Sequence, residues 1–189
     1  MERYTAIVLS AKPVTLEIPG VVVLASVQKI TTVAQLYDLR LAVLDRVGTE
    51  FCFYLDDDDE LPTDYLSVLD ECAAQGQPLV YTDELIRYQG KESVRKSAPY
   101  SADAHKARPM LVHHLALMRT QYAVQAARRL PRGDFSVEQP LFMELAKGGA
   151  AYVPRVGYVW NRSTSGISHW PQMVAAQVRA KRWCNGGAL

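Results

Sequence analysis

The chain has 189 residues, 49% of them hydrophobic and 22% charged, and 21 basic side chains against 20 acidic leave a net charge of +1. That composition excludes a disordered, collagen-like or coiled-coil chain, and the length suits one domain over 1–189 with a sizeable core. A near-zero charge sets no global field towards nucleic acid or a membrane surface.

The longest apolar run, around Val21 to Ala25, is far shorter than the roughly 18 residues of a spanning helix and suits a buried strand. No transmembrane segment is expected. The start, Met-Glu-Arg-Tyr, carries no signal-peptide pattern. Three cysteines (Cys52, Cys72, Cys184) match no metal-motif spacing, so a reduced, cytoplasmic protein is expected.

In chain order, Thr5–Ala11 and Val21–Val27 are β-branched apolar runs that read as strands, separated by a stretch with Pro13, Pro19 and Gly20. Thr32 and Gln35 form a capping box opening a helix whose stripe is Val33, Leu36, Tyr37, Leu44 and Val47, closed by Gly48. Arg40 lies on that stripe, so it snorkels or reaches an anion. Phe51–Leu55 reads as a compact strand running into Asp56-Asp57-Asp58-Asp59-Glu60, and a helix follows from Pro62 and Thr63 to Gly76. Pro78–Tyr88 is a strand with Asp83 and Glu84 inside it. Gly90 begins a turn, and residues 91–109 read as a long loop or mobile flap.

Leu115–Met118 is the next strand and Tyr122–Leu130 the next helix. Ser136 and Gln139 form a second capping box for a helix ending at Gly148. Ala151–Trp160 is a last strand and 172–183 a basic terminal helix. Alternating strands and helices make the class α/β with a mainly parallel sheet. His113 and His114 precede a strand, where neighbours point to opposite faces, and read as structural rather than as a pair. His105 reads as loop surface and Trp160 as core. The clusters Arg128, Arg129, Arg132 and Arg179, Lys181, Arg182 read as solvated helix faces, and otherwise as holds for an anionic acceptor, a membrane surface or a DNA backbone.

Five successive carboxylates at the end of an apolar strand repel one another unless something positive sits among them. Ligands of open α/β sheets bind outside the carboxyl ends of strands, and hard divalent cations take carboxylate oxygens and bridge to phosphates. A solvated acidic turn capping the next helix is the plain alternative.

The segment Phe-Tyr-Leu-Asp-Asp-Asp-Asp-Glu-Leu-Pro (53–62) resembles the Asp-x-Asp segment of inverting, family-2-type glycosyltransferases with the GT-A fold. Arg40 has the spacing of the arginine on the helix before that strand. Leu117-Met118-Arg119 resembles the strand before the acceptor side, residues 136–149 the helix with the catalytic base, and Tyr158–Ser168 the segment near the diphosphate. The resemblance covers roughly residues 5–170 and implies a single, shortened GT-A-like domain.

It further implies a metal-dependent inverting transfer of a sugar from a nucleotide-sugar donor, a UDP-sugar first among them. The acceptor would be a hydroxyl on a glycan, a lipid-linked sugar or a nucleobase, with nucleic acid ranking low. By that resemblance Asp56 and Asp58, with His169, would hold Mn²⁺ or Mg²⁺. Arg40, Asp57, Asp59 and Arg162 would serve the donor, and Glu138 would be the base.

The residues themselves also bear on Glu138. Early in a helix it sees the positive end of the macrodipole, which favours the ionised form of a base, although glutamate is common there for that reason alone. A one-residue shift puts Gln139 at the base position, and glutamine takes no proton. The short stretch from Ala11 to Gly20 and the absence of an acidic residue in Ser10-Ala11-Lys12-Pro13 trim the nucleotide-binding half. A catalytically inactive binding module and a metal-dependent phosphoryl-transfer enzyme therefore stand as alternatives.

Overall fold

The computed structural model describes residues 2–131, 139–164 and 171–186. The N-terminal half comprises β1 (Tyr4–Ser10), β2 (Val21–Val27), α1 (Val33–Val43), β3 (Phe51–Asp56), α2 (Tyr65–Ala74) and β4 (Leu79–Tyr88). The rest comprises β5 (Lys91–Arg95), α3 (Ala102–Ala107), β6 (Ala116–Arg119), α4 (Thr120–Arg129), α5 (Gln139–Ala146), β7 (Ala150–Asn161) and α6 (Pro171–Cys184). Thr32 caps α1 as its sequence signature requires: its Oγ1 accepts from Gln35 N at 3.1 Å, and Gln35 Oε1 accepts from Thr32 N at 3.2 Å.

One seven-stranded sheet runs β2-β1-β3-β6-β4, with β7 on the outer edge of β4 and β5 continuing along the edge that β6 leaves free. Pairs β1–β2, β1–β3 and β4–β7 are parallel, whereas β3–β6, β4–β6 and β4–β5 are antiparallel. The α/β class stands, but the sheet is mixed rather than mainly parallel. The short β6 inserts antiparallel between β3 and β4, a long-range pairing that no local pattern announces.

The period of two along the strands divides the core. On β3, Phe51, Phe53 and Leu55 face α2 together with Tyr4, Ala6 and Val8 of β1. Cys52 and Tyr54 face the other side, where Tyr37 and Leu41 of α1, Ala126 of α4 and Phe142 of α5 pack with Ile7. Asp56 continues that second series.

Residues 91–109 are not the long loop expected. Gln89 and Gly90 both have positive φ (50° and 75°), the two-residue turn that lets β4 fold back into β5 with Tyr88 opposite Lys91. The segment after β5 is tied to β4 and its surroundings: Ser97 N donates to Asp83 Oδ1 at 2.8 Å, Tyr81 Oη donates to Ala98 O at 2.7 Å, and Ser97 Oγ donates to Leu111 O at 2.7 Å. His105 is fully buried in α3, edge-on to Tyr100 at 5.6 Å, rather than on a loop surface.

The β4–β7 register shifts twice, between Thr82 and Asp83 and between Asp83 and Glu84, so extra β7 residues bulge out. Gly157 sits in the second bulge, where a Cβ would lie 2.5 Å from Thr82 Oγ1. The bulge aims the next residue, Tyr158, at the end of β3. Replacing Gly157 by alanine should cost about 1–3 kcal/mol of stability through overpacking, measured by denaturant unfolding, and Thr82→Ala in the same chain should recover part of the loss.

Candidate active site

Asp56 ends β3 on the face that Tyr54 shares, towards α1. There Arg40, 5% exposed, meets it: Nη2 lies 2.5 Å from Asp56 Oδ1. The guanidinium is held over the Tyr54 ring at 4.9 Å, and Tyr54 Oη donates to Arg40 O at 2.8 Å. An arginine on a core-facing stripe thus finds its anion at the end of the neighbouring strand. Burial pushes the Asp56 carboxyl up, but the Arg40 charge and hydrogen bond outweigh it and hold the group below the usual carboxylate range.

The remaining carboxylates are dispersed among different partners. Asp57 Oδ2 accepts from Ser10 Oγ at 2.5 Å, so the end of β1 grips the turn. Asp59 turns back to β7, accepting from Tyr158 Oη at 2.8 Å and from Asn161 N at 2.7 Å. Tyr158 Oη also accepts from Asp56 N at 3.1 Å, so one hydroxyl bridges both ends of the acidic turn. Burial pushes the Asp59 carboxyl up to about 7, against the hydrogen bonds from Tyr158 and Asn161 and with the help of the nearby Asp56 and Asp58 charges. Glu60 pairs backbone to backbone with Val159 (3.1 and 2.9 Å), sewing the turn to β7. Asp58 makes no side-chain hydrogen bond to another described residue; burial and the Asp56 charge raise its pKa.

Beside this turn stand two histidines the sequence reading left as structural. They precede β6, so strand alternation does not separate them, and their rings lie 4.1 Å apart. His114 stacks on Tyr158 at 4.5 Å and brings Nε2 to 4.0 Å from Asp56 Oδ2. His113 Nδ1 lies 2.7 Å from Oε2 of Glu84, whose other oxygen pairs with Arg95 Nε at 2.7 Å. Burial lowers both imidazoles to about 3, so they are neutral at neutral pH. Glu84 is 1% exposed, and burial raises its pKa against the charge of Arg95. A cleft of about 380 Å³ opens here, lined by Thr82, Glu84, Arg95, Arg108, His113 and His114 among others. Gln139, at the described start of α5, donates from Nε2 to the sulfur of Met110 in the cleft wall at 3.3 Å.

No three His, Cys, Asp or Glu side chains among the described residues converge as a ready ligand set for a metal. Asp56 and Asp58 are hard oxygen donors two residues apart, near enough for the Asp56 charge to raise the Asp58 carboxyl, and an ion such as Mg²⁺ takes one or two protein carboxylates and fills its shell from water and phosphate. The donor chemistry therefore fits part of such a shell.

Of the residues singled out from sequence, Asp56, Asp57, Asp58, Asp59 and Arg40 come together at the end of β3. Arg40 takes its place there by pairing with Asp56. Arg162 is next door, its guanidinium over the rings of Tyr88 (5.1 Å) and Trp160 (5.6 Å). Glu138, His169 and the Ser136 cap lie outside the described residues. Sequence reasoning missed Ser10, Glu84, Arg95 and the two histidines as site residues. The available signal was Glu84, which with Asp83 interrupts the strand that opens Leu-Val-Tyr, since a buried acid requires a partner.

No family model matches the chain, and no curated protein matches it in sequence. Solved structures do share its fold. TarS of S. aureus, residues 1–349 in complex with UDP-GlcNAc, superposes with a TM-score of 0.66 at 10% identity over 96% of this chain and 65% of that one. The same TarS segment in complex with UDP gives 0.60 at 12% identity over 85% and 61%, and the longer TarS chain 0.58 at 13% over 85% and 37%. The chain thus shares the α/β fold of TarS and spans less than two thirds of the length of those TarS chains. Among the described residues, no helix is long and apolar enough to cross a membrane.

Tyr158→Phe removes the hydroxyl that both Asp56 N and Asp59 use, leaving a buried N–H and a carboxylate short of partners. It should cost about 1–3 kcal/mol in denaturant unfolding, while Tyr152→Phe, outside the acidic turn, should leave the turn unaffected.

Proposed function

We propose that this chain is a nucleotide-sugar glycosyltransferase that moves a sugar, with inversion, from a UDP-sugar to an acceptor hydroxyl. The observation that carries the reading is Asp56, clamped by Arg40 at the carboxyl end of β3 with Asp58 two residues on, in a fold shared with a protein crystallised with UDP-GlcNAc and with UDP. Carboxylates at that end of an open α/β sheet stand where such folds take their ligands.

In this reading Asp56, Asp58 and His169 hold Mn²⁺ or Mg²⁺, which when bound supplies positive charge to the departing diphosphate. The chain's own residues do the rest. Arg40 fixes the Asp56 rotamer and keeps the carboxylate ionised. Tyr158 and Asn161 set the turn that presents Asp58, while Asp57 and Asp59 shape its donor side. Arg162, on the edge of the same turn, contacts phosphate. Glu138, next in sequence to Gln139, which bonds Met110 of the cleft wall, takes the proton from the acceptor hydroxyl as its oxygen attacks the anomeric carbon.

One observation favours a second reading, a module that binds donor without transferring it. Gln139 of α5 bonds Met110 of the cleft wall, and an amide takes no proton. The two readings separate in one assay: UDP release and sugar transfer from a panel of UDP-sugars with Mn²⁺, for the native chain and Glu138→Gln. Transfer that falls by at least about 100-fold in the variant, with UDP affinity within twofold of native, is the expected result. Absence of turnover in a native chain that binds UDP would establish the module, and turnover indifferent to Glu138→Gln would remove the assigned base.

A further inference from the structure

His113 and His114 line the cleft between the acidic turn and a group of cations. His114 Nε2 lies 4.0 Å from Asp56 Oδ2 of the turn. His113 faces Glu84, and beyond Glu84 the wall carries Arg95, Lys96 and Arg108. Three cations therefore line this part of the cleft against one carboxylate, which forms an ion pair with Arg95 Nε at 2.7 Å and meets His113 Nδ1 at 2.7 Å, while Glu84 Oε1, like Arg95 Nη2, is buried without a hydrogen-bond partner among the described residues. Neither Lys96 nor Arg108 forms an ion pair with a described residue.

Arg95 is the most telling of the three. Its Nε is committed to Glu84 and its guanidinium lies 5.9 Å from the centre of the Trp160 ring, yet its Nη2 is buried without a hydrogen-bond partner among the described residues. Burial lowers the pKa of this guanidinium even though Glu84 opposes the shift, which is the sign of a charge desolvated beyond what its one carboxylate offsets. An unfilled donor on a partly buried cation, at the mouth of a cleft, is stabilised by an anion that enters it.

We propose that this part of the cleft is an acceptor subsite for a phosphate ester, so that the second substrate of the transferase carries a phosphate near its reacting hydroxyl. This rests on the transferase reading for the word acceptor, but the anion site stands on its own residues. Phosphate fits better than carboxylate because two guanidinium forks and an ammonium need more oxygens than a carboxylate has. In the transferase reading the donor diphosphate does not account for these cations, because its counter-charge would be the metal at the acidic turn, across the histidine pair.

The test is a titration of sn-glycerol 3-phosphate into the full chain followed by NMR, with glycerol and acetate as neutral and carboxylate controls, and a parallel titration of UDP with Mn²⁺. The expected result is saturable binding of glycerol 3-phosphate, none of glycerol, and weaker binding of acetate. Lys96→Gln/Arg108→Gln, on two exposed side chains, should weaken glycerol 3-phosphate by about tenfold or more and leave UDP affinity within twofold. Arg108→Gln alone repeats the test with a smaller loss should the double variant fold poorly. Equal binding of glycerol 3-phosphate to native and variant chains, or no binding at all, overturns the subsite. So does a matching loss of UDP affinity, which would return the cations to the donor. Failure of UDP to bind the native chain, with glycerol 3-phosphate bound as expected, would fell the transferase reading and leave the anion site in place.

Discussion

The ion pair between Arg40 and Asp56 is the contact on which the site depends. A strand that ends in four aspartates and a glutamate places like charges within a few ångströms of one another, and at that spacing repulsion in a partly buried setting is worth kilocalories. Arg40 answers the first of them from inside the core, with its guanidinium on Tyr54 and its carbonyl held by the Tyr54 hydroxyl. Removing either partner of a buried pair leaves a charge with nothing to balance it, which is why such pairs are costly to break even when they add little net stability. With Asp56 anchored, the others spread: Asp57 to β1 and Asp59 to β7, while the Asp58 side chain bonds no other described residue.

That dispersal leaves the acidic turn and the cleft beside it chemically different. Tyr158 and His114 form the partition, stacked on each other, with the tyrosine hydroxyl bridging the acidic turn and the imidazole beside Asp56. Neutral histidines suit a partition because they pack against rings without adding charge to either side. On the far side Glu84 is balanced by Arg95 and His113, so the acid buried in β4 and the arginine on β5 stabilise each other across the hairpin. The β4–β5 hairpin and the bulged β7 are therefore part of the site as well as part of the sheet.

Much of this was legible in the residues. The apolar stripe of α1 carried Arg40 on its core face, which called for an anion or a route to solvent; alternation along β3, which puts Asp56 on the α1 face, shows in the fold which anion answers it. The Thr32–Gln35 box marked the start of α1. What escaped depended on contacts far apart in sequence. β6 slots antiparallel between β3 and β4 over only a few residues, β5 is too polar to read as a strand without its partner, and Gln89-Gly90 is a weaker hairpin signal than Asn-Gly. The histidine pair was misread because strand alternation was applied to residues that lie before the strand begins.

The central claim is that the end of β3 is a donor site rather than a solvated acidic turn. The most direct measurement is a calorimetric titration of UDP into the native chain and into Asp58→Asn, each with Mn²⁺ and again with EDTA. The account predicts binding to the native chain that requires Mn²⁺ and weakens at least about tenfold in the variant, with both proteins equally folded. Binding of UDP that is indifferent to both the metal and Asp58, or no binding to a folded native chain, would contradict it.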